Sequence, residues 1–173
     1  MLVATASTSV AGDQPQTAPA LPPNHPSTGF TAAPEPVWSP PTNWLVAPSS
    51  AMVVRSFKIA GEKGLAAKVA VSAFGGNVGG TFANVNRWRA QIGLPPIEES
   101  ALATVTQSID VAGGKATVVD LSNPDGVPTR LVAVIVPRRA NTWFYKMVGD
   151  TTVVAQEDAA FVKFVQTVTY PQP

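Results

Sequence analysis

Cysteine is absent from this sequence, and histidine occurs once, as His25. The first absence removes disulfides, thiolate nucleophiles, iron–sulfur clusters, c-type haem attachment and thiolate zinc sites together. The second leaves no histidine in the part of the chain with periodic apolar residues, so Ser-His-Asp and Cys-His mechanisms have no base within one chain. Charge is scarce as well. Asp, Glu, Lys and Arg make up 13% of the residues and the formal net charge is +1, too little for the field alone to draw the protein to nucleic acid or an anionic membrane. No apolar run approaches the ~20 residues that cross a bilayer as a helix. The opening MLVATASTSV lacks a basic flank and a strong apolar centre, and does not read as a signal peptide.

Paired carboxylates are the remaining route to catalysis, and none has the right arrangement. Glu98-Glu99 and Glu157-Asp158 are sequential and point different ways on a helix. Asp110 and Asp120 are expected to face each other across a hairpin, as exposed sheet polarity. No loop spaces several acids for calcium. The glycine-rich GGNVGG at residues 75–80 precedes a helix but carries no GKS or GKT and no G-x-G-x-x-G register, so it reads as a turn and not as a phosphate cradle. No catalytic, cofactor-binding or metal-binding residue is assigned, and no cofactor is expected.

The sequence is rich in proline and small residues at one end. Ten of the 17 prolines lie between Pro15 and Pro48, no Lys or Arg occurs before Arg55, and the rest of the chain carries an excess of three positive charges. Residues 1–36 read as an extended Pro/Ala/Ser/Thr-rich arm, with residues 37–170 as one folded domain and 171–173 as a tail. At a mean hydropathy of +0.14 the folded part has enough apolar content for a core.

The pivotal element is TFANVNRWRAQIGLPP at residues 81–96. Thr81 is placed to cap a helix, Phe82, Val85, Trp88 or Arg89, and Ile92 recur at roughly helical spacing, and Gly93 followed by Pro95-Pro96 ends it. Trp88 is expected to bury against a sheet between Arg87 and Arg89. Around this helix lie the expected edge strand Trp44-Leu45-Val46, strands over 52–59 and 65–74, and a short second helix over 97–107. A hairpin turns at Gly113-Gly114, strands follow over 130–136 and 142–148, and Gly149-Asp150-Thr151-Thr152 opens a last helix that runs to about 168. Val154, Phe161, Phe164, Val165 and Val168 form the last helix's apolar stripe, with Gln156, Glu157, Asp158, Lys163 and Gln166 facing outward. The fold class is α+β, an antiparallel sheet with helices packed on it.

The chain resembles the PsbP-like superfamily, which includes DcrB-like bacterial lipoproteins, over residues 37–170. Pro41-Thr42-Asn43-Trp44 before the first strand, the hairpin through Phe57, the strand over 142–148 with Gly149-Asp150, and the helix bearing Phe161, Phe164 and Val165 carry the resemblance. It implies an α/β/α sandwich with a central antiparallel sheet, in an accessory subunit of a bacterial periplasmic or otherwise extracytoplasmic, membrane-associated complex. The expected partners are protein subunits, reached through the folded domain and the arm, with no nucleic acid and only indirect membrane contact. Phe30, Trp38, Trp44, Arg87 and Arg89 are the expected partner contacts. The competing expectation is a free-standing domain that binds a small ligand or lipid in a groove between the pivotal helix and the sheet.

Overall fold

The computed structural model describes residues 35–76, 78–138 and 141–171. Seven strands form one sheet: β1 (Trp44–Ala47), β2 (Arg55–Ala60), β3 (Ala66–Gly75), β4 (Thr106–Val111), β5 (Gly114–Asn123), β6 (Thr129–Pro137) and β7 (Asn141–Asp150). Their order is β1-β2-β3-β7-β6-β5-β4, every neighbour antiparallel. Two helices, α1 (Gly80–Gln91) and α2 (Thr151–Gln166), complete an α+β domain. The hairpin β2–β3 and the meander β4 to β7 are separate in sequence, and they join where β7 pairs with β3 along nine residues on each strand.

Alternation along the central strands assigns the faces. On β6, Val132, Val134 and Val136 point to one face and Leu131, Ala133 and Ile135 to the other, all buried. A strand buried on both faces has no polar positions to alternate, and RLVAVIV already reads that way. On the first face α2 lays Val153, Val154, Phe161, Phe164 and Val165 against β1, β2, β3, β6 and β7. Phe161 and Phe164 are fully buried, each worth about 2 kcal/mol in transfer terms. On the second face α1 lays Val85, Trp88 and the adjoining Ile92 against Val119, Leu121, Leu131, Ala133, Ile135 and Phe144. That cluster takes its sheet residues from β5, β6 and β7, with Phe74 from the end of β3, and none from β1 or β2.

Several local expectations need correction. Thr81 is not the cap of α1. Gly79 is, with φ +76 and no capping side chain; Asn84 instead donates through Nδ2 to the Val78 and Gly80 carbonyls at 3.0 and 2.7 Å. The C-terminus ends as expected: Gly93 (φ +77) and Leu94 donate to the Ala90 and Arg89 carbonyls at 3.1 and 2.8 Å, a glycine-ended Schellman turn. The second helix expected over 97–107 is a single 3-10 segment, Glu99–Thr104. β4 starts at Thr106 and takes the remainder of the stretch, because pairing with β5 satisfies its backbone at once. Asp110 and Asp120 do not face each other. Asp110 pairs with Lys115, and Asp120 meets Arg130 on β6.

Glu157 and Asp158 do not look outward but join α2 to the sheet. Glu157 accepts from Trp44 Nε1 at 2.8 Å and Asn43 Nδ2 at 2.7 Å, and Asp158 accepts from Arg130 at 2.8 Å. Arg130 is bound by Asp120 as well, through two contacts of 2.9 and 2.6 Å. Hydrogen bonding to Asp120, and then the attraction of both carboxylates, outweighs burial and holds its guanidinium above its ordinary pKa.

Candidate functional site

Strand register brings together three lysines that are far apart in sequence. Lys58 on β2 lies directly opposite Lys68 on β3. Lys68 lies opposite Val148 on β7, and Ala70 opposite Lys146, so Lys146 is Lys68's diagonal neighbour on the same face. This is the α1 face, in the half that α1 leaves uncovered. Leu45 on β1 extends the row, opposite Lys58. Cβ atoms of such partners stand about 5 Å apart directly and about 7 Å diagonally. An open concavity of about 400 Å³ lies here, lined by Ala47, Pro48, Lys58, Ala66, Ala67, Lys68 and Val148.

The electrostatics of this trough are one-sided. Like charges directly opposite on a sheet repel, and among the described residues none of Lys58, Lys68, Lys146 or Arg87 has an ion-pair partner. Lys146 is half-buried, and its amine is held below the usual lysine range by burial first, then by repulsion from Arg87 and Lys68. Its Nζ donates to Gln91 Oε1 of α1 at 2.8 Å. Asp150, four residues along β7 on the same face, is engaged at the N-terminus of α2, where its Oδ1 accepts from Thr152 N at 2.8 Å.

The structure separates the two arginines of the pivotal helix. Arg87 is exposed, donates to Asn84 Oδ1, and is the one whose charge reaches Lys146. Arg89 turns to the chain that follows the helix, where its Nε donates to the Pro95 carbonyl at 2.7 Å. Between them Trp88 is 4% exposed and meets Phe144 edge-on at 6.3 Å. The groove expected between this helix and the sheet is filled by Val85, Trp88, Ile92 and Phe144, and none of these lines the concavity.

Trp44 is 5% exposed, packed against Phe57, Phe161 and Phe164, so its ring is engaged within the chain. Trp38 is half-buried at the far end of the α2 face. Its ring lies 6.3 Å from Trp143, beneath the guanidinium of Arg55 at 5.4 Å. Trp143 in turn meets Tyr170 at 5.6 Å, and Arg138 stacks on Tyr170 at 4.1 Å. Tyr145 Oη and Tyr170 Oη share a hydrogen bond of 2.8 Å. Burial first, then Tyr170, raises the Tyr145 phenol well above its ordinary pKa; burial raises Tyr170 too. Val37 and Thr169 exchange backbone hydrogen bonds of 2.9 and 3.1 Å, closing this corner. Phe30, His25 and the arm up to residue 34 lie outside the described residues. Among the described residues no three His, Asp or Glu side chains stand together, and no helix is long and apolar enough to cross a membrane.

Sequence reasoning found the arginines but not the lysines. Lys58, Lys68 and Lys146 belong to three strands, and each alone looks like an ordinary solvated position on an alternating strand. Only the β2–β3–β7 register makes them a set.

Comparison with known proteins gives a fold and little more. No protein-family model matches the chain, and no curated protein matches it. Among solved structures, LpqN, involved in cell envelope biogenesis of Mycobacterium tuberculosis, is similar at a TM-score of 0.50 and 13% identity, over 83% of this chain and 88% of that one. PA94 of Pseudomonas aeruginosa, a protein of unknown function, aligns at TM-score 0.45 and 14% identity, over 76% of this chain and 99% of its own. A Bacteroides thetaiotaomicron protein aligns at TM-score 0.45 and 12% identity over 79% of this chain, which spans 48% of that one's length.

Proposed function

We propose that this protein is a non-catalytic accessory subunit of a bacterial, extracytoplasmic and membrane-associated protein complex, with a fold of the PsbP-like kind. The single observation that carries the reading is the half-uncovered sheet face. Among the described residues, α1 stops short of β1 and β2, and that half of the face presents Lys58, Lys68 and Lys146 with Arg87 beside them and no carboxylate of those residues paired to any. A surface that keeps like charges adjacent, at a cost in stability, fits a partner that supplies the opposite charge. The fold likeness to LpqN lends the envelope no more than priority as the place to look, since identity at 13% carries no activity. Phe30 and the rest of the arm would run along a neighbouring subunit, while Arg87 of the two arginines would join the sheet-face contact.

Mild-detergent extraction from the source cells, followed by size separation and mass spectrometry of what co-migrates, tests this. Migration in a large assembly is the expected outcome. Migration alone near 18.0 kDa would remove the subunit reading and favour a free-standing ligand-binding domain.

A further inference from the structure

Resting on the docking reading above, we infer that the occupant of the lysine trough is an acidic, extended segment of a partner protein. The arrangement of the cations decides this. Lys58 and Lys68 are direct cross-strand partners and Lys146 is one diagonal step further, with Arg87 beyond it on α1. The row therefore runs across three strands, with steps of about 5 and 7 Å. Side chains on one face of an extended chain recur at about 7 Å, so carboxylates at alternate positions of such a segment match the row. A single phosphate is too small to touch its length. Compact recognition of phosphate would use an arginine fork or converging backbone N–H groups, and the lining offers lysine stems instead.

Shape separates a polypeptide from a bilayer. Lys58 and Lys68 line a concavity of about 400 Å³, and Lys146, their neighbour on β7, is half-buried in contact with Gln91. A lipid plane meets convex surface and would not bring its headgroups down beside Lys146. A chain laid in the trough does, and the apolar walls at Ala47, Pro48, Ala66 and Val148 take its small or apolar side chains between the acids. Leu45, 60% exposed and opposite Lys58 on the same face, extends this surface towards the sheet edge. Binding would relieve the repulsion among the lysines, so the charge that costs stability in the free protein becomes attraction in the complex.

The test titrates a short synthetic peptide of alternating glutamate and valine into the full chain, followed by backbone amide shifts and calorimetry. Shifts should concentrate on β2, β3, β7 and the last turn of α1, and affinity should fall as salt rises. The triple variant Lys58→Gln, Lys68→Gln, Lys146→Gln should bind roughly tenfold more weakly or worse, while Lys115→Gln on the β4–β5 hairpin changes nothing. A thermal melt shows whether the triple variant folds. If it does not, Arg87→Gln at an exposed helix position replaces it, with a several-fold loss expected. Shifts elsewhere, or equal binding by the lysine variants, overturn the inference. So does a stronger lysine-dependent response to phosphatidylglycerol vesicles or inorganic phosphate than to the peptide, or peptide binding that appears only after residues 1–34 are removed, which would make the chain's own arm the occupant. Co-migration of the wild type and the triple variant in one assembly would sink this inference and leave the docking reading standing. A wild type that migrates alone removes that reading while the peptide titration still reports on the trough.

Discussion

Gly149 holds β7 against β3 at the pair Ala67–Gly149. A Cβ there would lie 2.5 Å from Ala67 Cα and closer still to the Ala66 carbonyl oxygen, and both belong to backbone that cannot swing aside. Gly149→Ala should therefore cost roughly 2 kcal/mol or more, read as a lower denaturant midpoint at unchanged slope. Lys146 makes the opposite prediction. Its charged form is disfavoured in the folded protein, so the unfolded chain binds more protons below the ordinary value of 10.5, and stability rises with pH through that window. Lys146→Met should gain up to about 1 kcal/mol near neutral pH and lose that rise, measured as the difference between the two unfolding curves across pH. The tyrosines give a third readout, because Tyr145 and Tyr170 are the only two in the chain. Both phenols are raised above 10.0, so the folded state holds protons that the unfolded state releases, and their contribution is complete below pH 10 and lost above it. Tyrosinate absorbance in the native protein should stay absent through the ordinary tyrosine range and appear together with alkaline unfolding. A normal titration without unfolding would show that the Tyr145–Tyr170 corner is open.

At the scale of elements, α2 is fastened to the sheet at two polar points as well as by its apolar stripe. Glu157 takes the indole N–H of Trp44 and thereby seats β1, a four-residue edge strand with Leu45 and Val46 exposed. Glu157→Ala strands a buried donor, at a cost of about 1–3 kcal/mol. Its signature should be early loss of amide protection in β1 ahead of β6 in hydrogen exchange. The outward face that the helical spacing of α2 suggests is thus in part an inward one, at Glu157 and Asp158. Helical periodicity locates apolar stripes well, but a carboxylate at the stripe's border looks the same whether it meets water or an indole. The helix expected at 97–107 shows the same limit in reverse: Glu98, Glu99 and Ser100 suit a helix start, and the competition that ended it came from β5, a strand later in the chain.

For the whole molecule, the arm and the trough belong to one docking hypothesis and can be separated by truncation. Deleting residues 1–34 spares the Glu35–Arg55 ion pair and the Val37–Thr169 bridge. The truncated protein should keep its melting temperature and lose association with the partner assembly. Retained association would take the arm out of the interface. The sequence by itself determined most of the strands, the two long helices and the C-terminal end of α1, because alternation, helical spacing and glycine at a helix end are local properties of a few neighbouring residues. It also showed no cysteine and a single histidine, His25, outside the part of the chain with periodic apolar residues. Tertiary structure alone decided that β7 pairs with β3 and that α1 covers one half of its face. It alone gathered Lys58, Lys68 and Lys146 into a single trough. The physical reason is that strand order and register depend on which faces can be buried together, and the energy of that choice lies between residues distant in sequence.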